Sequence, residues 1–211
     1  MNLKKGLTCV AFGFLFVSVD FKLNLSGGVL NLLPAFVGWI LFALAYSKLG
    51  KYTAYKPHLR WIPIVLAVYE TIDWLLVLQN MTLTLPLVGY AIPILEIVYL
   101  FQLFGCLEWV AGTYAARLES RIHRQKILYI SLLVAAFVTL LLALTSSASG
   151  LFANLTLLIS LVIAVVIILI CVTLFKLRKA IPNEDPAPAE AGRTGDDAAR
   201  GAGGFGSTGT N

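Results

Sequence analysis

The stretch "LTLLISLVIAVVIILICVTLF", Leu155 to Phe175, contains no Asp, Glu, Lys, Arg or His. As a helix rising about 1.5 Å per residue it would cover roughly 32 Å, which matches the hydrocarbon thickness of a bilayer. The whole chain agrees with that stretch. Of its 211 residues 59% are hydrophobic and only 13% charged, against roughly 25% charged in soluble proteins. Apolar residues gather in six runs, which predict spans over about residues 5–19, 33–48, 60–79, 87–116, 127–144 and 151–175. The expected fold is therefore all-α: a six-span transmembrane helical bundle over residues 1–179, with a short outer hairpin-like loop and a disordered tail over 180–211.

The first run follows Lys4 and Lys5 and has the length of a secretory signal, but "FVSVDF" after it offers no small-x-small cleavage site. It is kept as a span. Lys and Arg then set the orientation. Lys4, Lys5, Lys48, Lys51, Lys56, Arg60, Arg117, Arg121, Arg124, Lys126, Lys176, Arg178 and Lys179 fall on one side, and Lys22 stands alone on the other. Cytoplasmic loops carry the Lys/Arg excess, so both termini are expected in the cytoplasm. The net charge of +5 is accounted for by this asymmetry, and a nucleic-acid partner is not expected.

Between the first two runs, Phe21, Leu23 and Leu25 alternate with Lys22, Asn24 and Ser26, and Gly27 and Gly28 supply turn torsions. This predicts a small hairpin that returns the chain to Pro34, a residue suited to a helix start. After Ala180 the sequence turns to Gly, Ala, Pro and mixed charge, which cannot bury enough apolar surface to fold. Cys9, Cys106 and Cys171 all lie inside runs and read as apolar packing residues rather than a disulfide or zinc framework. Gly112 and Ala116 offer a small-xxx-small surface on the fourth run. Trp39, Tyr52 and Trp61 read as interfacial aromatics.

The segments "GFLFVSVDFKLNL" and "LNLLPAFVGWIL", joined through the Gly turn, together resemble a group of uncharacterised bacterial multi-pass membrane proteins with an "LLPxFVG"-like second helix. The likeness covers about the first 50 residues. Where that group carries an acid after the proline, this chain has Ala35. The resemblance implies a bacterial cytoplasmic membrane and brings no activity with it. In such a source the Asn-x-Ser/Thr matches at Asn24, Asn80 and Asn154 have no glycosylation role.

The polar residues that call for explanation lie in "VYETIDW", Val68 to Trp74. Glu70 is expected about 15 Å into the third span, with Asp73 one turn further on the same face. Glu96 is about 14 Å into the fourth span and can meet the same layer if the two helices pack side by side. Glu108 lies deeper on that helix, near the inner surface.

A carboxylate in a span is costly and normally has a partner, yet no Lys, Arg or His falls in the central layer, and His58 and His123 read as loop residues. Three routes remain. The carboxyls are neutral and hydrogen-bonded, with Tyr69, Thr71, Tyr99 and Gln102 as candidate partners; or they hold a cation or a transported proton; or a partner subunit or second copy supplies the base. Pro86, Gly89 and Pro93 near Glu96 suggest a broken helix, a transporter feature, whereas the two halves show no repeat. No metal-binding His pair, nucleophile elbow or phosphate loop is present. The expectation is a non-enzymatic accessory or structural membrane component with no cofactor. The alternative is a small proton- or cation-coupled transporter or channel using Glu70, Asp73 and Glu96, with Glu108 secondary.

Overall fold

The computed structural model describes residues 2–18, 22–25, 28–31, 34–49, 60–79, 81, 86–145 and 149–182. They form six helices and one hairpin: α1 Asn2–Ser18, β1 Lys22–Leu25, β2 Gly28–Asn31, α2 Ala35–Leu49, α3 Trp61–Leu78, α4 Pro86–Tyr114, α5 Ala116–Thr145 and α6 Ser149–Ala180. Residues 183–211, expected to be a disordered tail, lie outside the described residues, as do Tyr52, His58 and Asn80.

Length separates the helices into two groups. At 29, 30 and 32 residues, α4, α5 and α6 extend roughly 44 to 48 Å. With α3, they make four helices long and apolar enough to cross a membrane. The 17 residues of α1 and 15 of α2 reach only about 26 and 23 Å.

The two short helices form the closest pair. The hairpin between them makes them antiparallel, and glycines let their backbones meet: a Cβ on Gly38 would stand 2.8 Å from the Gly13 carbonyl oxygen and 2.9 Å from the Val17 nitrogen. Gly13 in turn faces the Phe42 ring, where a Cβ would lie 2.7 Å from Cε1. Removing Cβ atoms is how apolar helices gain contact in lipid, where burial alone gives no driving force. The hairpin joins this pair. Leu25 is opposite Gly28 and Lys22 opposite Asn31, so Gly28 belongs to the ladder, while Gly27 lies outside the described residues. Val37 N–H bonds to the Pro34 carbonyl at 3.1 Å and starts α2.

From α1 the bundle continues through α6, where the Cys171 thiol approaches the Ala11 carbonyl at 3.5 Å, and then α5 and α4. All three cysteines are free. The centre is aromatic. Phe14 touches Phe42, Phe104 and Tyr129 with centroids 5.2, 5.6 and 5.7 Å apart, and Trp39 packs on Phe42 and Tyr99. Trp39 is thus buried in the core, because α2 turns it toward α4, whereas Trp61 at the start of α3 is 64% exposed. The outward face of α6 is hydrocarbon: Leu157, Leu161 and Ile168 are exposed, while Val166, Ile170 and Leu174 face inward.

Two expectations about connections are overturned. The basic segment 117–126 is helix and forms the start of α5, since "ARLESRIHRQK" has no Gly or Pro and is rich in helix formers. The chain reverses at Ala115, so Ala116 is not on α4, and Gly112 faces the Glu119 carboxylate of α5 instead of a small-residue seam. Furthermore, α3 packs chiefly along α2, with Phe36 against Trp74 at 5.6 Å, and meets α4 only briefly. The glycine seam draws α2 into the core, and α3 follows it to the periphery.

Candidate functional site

Glu70 and Asp73 occupy successive turns of α3, and Glu96 lies about 15 Å from the start of α4. All three are partly buried. Glu70 and Glu96 come within electrostatic reach of each other across the α3–α4 gap. Tyr69 lies within reach of Asp73, Glu70 and Glu96 together. The helices therefore bring the predicted acids to one locality, although they do not pack side by side there.

The expected hydroxyl partners are partly spent elsewhere. Thr71 Oγ1 donates to the Ala67 carbonyl at 2.7 Å, and the Tyr99 hydroxyl donates to the Phe42 carbonyl at 3.4 Å. Of the proposed set, Tyr69 stands among the acids. Sequence reasoning missed Tyr129 of α5, a buried ring whose hydroxyl shares a hydrogen bond with Ser18 and lies within reach of Glu96. Its signal was slight: Tyr129 is the lone tyrosine of an otherwise mostly aliphatic run that holds Ser131, Phe137 and Thr139 besides. Ser18 ends α1, so Glu96 sits at the level where the short helices stop and the hairpin segment begins.

Pro93 does not break α4. It lies inside one continuous helix, a placement that spans tolerate because the freed backbone group finds another partner. Among the described residues no group of three His, Cys, Asp or Glu side chains converges tightly enough to hold a metal ion. Two apolar or basic grooves are conspicuous, one between α2 and α3 lined by Ile40, Leu44 and Val68, the other along α5. Neither is lined by the three acids.

Glu108 belongs to a separate arrangement. Its carboxylate meets His123 Nδ1 at 3.0 Å and Lys126 Nζ at 3.3 Å, and Lys126 also lies 4.1 Å over the Phe101 ring. His123 is on α5 and not in a loop, and its partner explains why α4 carries an acid at that depth. The antiparallel α4–α5 turn brings the base back from the polar start of α5. Trp39 Nε1 is the one buried side-chain polar atom without a hydrogen-bond partner among the described residues.

Fold and composition together define a helical bundle of the membrane-protein class, with four helices suited to crossing a bilayer. Comparison with protein-family models, with curated proteins and with solved structures gives no match.

Proposed function

We propose that this chain is a six-span integral protein of a bacterial cytoplasmic membrane, with both termini in the cytoplasm. In our reading it is a non-enzymatic accessory or structural component in which the carboxyls of Glu70 and Glu96 fix α3 against the rest of the bundle. One observation carries this: the acids, with Tyr69 and Tyr129, lie where α3 and α4 otherwise scarcely touch. Hydrogen-bonding side chains supply helix pairing in lipid, at about 0.6–2 kcal/mol each. Tyr129, held by Ser18, links that junction to α5 and α1.

The alternative is a proton- or cation-coupled role for the same acids. What favours it is that residues 61–114 contain no Lys, Arg or His, while the Glu70 and Glu96 carboxyls lie within electrostatic reach of each other. Like carboxyls at close range share a proton or a cation in many functional sites.

The test compares Glu70→Gln, Asp73→Asn, Glu96→Gln and Glu96→Ala in detergent, with and without Na⁺ or K⁺. For a pairing role, the amide variants keep nearly the wild-type melting temperature, Glu96→Ala loses about 1–2 kcal/mol, and neither cation matters. Saturable stabilisation by a cation, abolished in the amide variants, would instead mark an occupied site and move the assignment to transport.

A further inference from the structure

The first turns of α5 carry Arg117, Arg121 and Arg124, whose spacing of four and three places them on one helical face. They line an open groove of about 510 Å³ whose apolar wall is Leu128 of α5 and Leu169 of α6. Among the described residues none of the three arginines has an ion-pair partner. The nearby carboxylates are directed elsewhere, Glu108 to His123 and Lys126 and Glu119 toward Gly112 on α4.

The groove is also fixed in shape. Gln125 Nε2 donates to Thr173 Oγ1 at 3.0 Å, and Thr173 donates to the Leu169 carbonyl at 2.9 Å, so the α5–α6 wall is pinned by buried hydrogen bonds. At one end stand three guanidinium groups, whose planar forks match phosphate oxygens. At the other end Leu128 and Leu169 are exposed and continue into exposed Val165 and Val172.

We infer that this groove binds one anionic phospholipid, with its phosphate on Arg117, Arg121 and Arg124 and its acyl chains along Leu128 and Leu169. Charge complementarity selects the headgroup, and the apolar wall distinguishes a lipid from a soluble phosphate. Basic pockets between spans at the cytoplasmic side are suited to such headgroups. The inference rests on the proposed membrane placement of the chain, but not on any role of Glu70 or Glu96.

The experiment titrates the full chain, in a mild uncharged detergent, with phosphatidylglycerol, phosphatidylcholine or inorganic phosphate, and follows the melting temperature. Phosphatidylglycerol is expected to raise it saturably, and phosphatidylcholine and phosphate at equal concentration are not. Arg117→Gln/Arg121→Gln/Arg124→Gln is expected to weaken the phosphatidylglycerol effect at least tenfold, with Arg121→Lys intermediate. Leu169→Asn should weaken it as well. If the triple variant does not fold, Arg121→Gln and Arg121→Lys carry the comparison, with the same order expected.

Equal stabilisation by phosphatidylcholine, an undiminished effect in the arginine variants, or a matching effect of inorganic phosphate would overturn the lipid assignment. Failure of the membrane placement itself shows separately, as release of the wild-type chain from cell membranes by alkaline carbonate.

Discussion

Gly38 shows how much a single missing Cβ can determine. The methyl of an alanine there would press on the backbone of Gly13 and Val17, which cannot swing aside as a side chain would. Gly38→Ala is expected to force α1 and α2 apart and cost about 1–3 kcal/mol, seen as a lower melting temperature in detergent. Gly89→Ala, where a Cβ would meet nothing within 4 Å, should leave stability unchanged or raise it slightly. A melting temperature for Gly38→Ala equal to wild type would mean that the α1–α2 seam is looser than described.

At the same scale, the acids were legible in the sequence because a carboxyl in a hydrocarbon run stands out in one dimension. Tyr129 and Ser18 were not, because what brings them to Glu96 is the reach of the Tyr129 side chain of α5 into the core, where it meets Phe14 and Ser18 of α1. Trp39 misled for a related reason: an aromatic near a run's end looks interfacial until the facing helix is known.

Among the elements, the α4–α5 turn is the most informative. A run of charged residues reads as a loop if spans are found by hydropathy alone, yet nothing in "ARLESRIHRQK" stops a helix. The six runs and the hairpin were visible because they are local patterns of period and composition. The peripheral place of α3 was not, since it depends on how tightly α1 and α2 close.

The turn also predicts an energetic coupling. Lys126 and Glu108 have side chains only 12% and 20% exposed, so removing one partner leaves the other poorly solvated. Lys126→Met and Glu108→Gln are each expected to destabilise, and the double variant should lose less than the sum by roughly 0.5–2 kcal/mol. Additive losses in that cycle would show the pair to be energetically idle. High salt should change the coupling little, because the partly buried pair is weakly screened.

On the scale of the whole molecule, the inequality of the helices has a consequence for the surrounding bilayer. One flank, α2 with α3, offers 15 and 18 residues of helix, while on the opposite flank α6 offers 32, and α5 is 30 residues long with its charged first turns included. In the proposed six-span placement, lipid against the first flank would meet roughly 23 to 27 Å of helix, less than the ~30 Å of an average hydrocarbon core. Helices that are too short are accommodated by thinning of the adjacent leaflets, and those that are too long by tilt. The protein is therefore expected to prefer thin membranes and to impose a lateral gradient of thickness around itself. Reconstituted in phosphatidylcholines of increasing acyl length, it should melt highest with short chains and lower as the chains lengthen, whereas a flat profile would mean that α2 and α3 are shielded from lipid. Such a preference would sort the protein toward thinner regions of a membrane without any recognition motif.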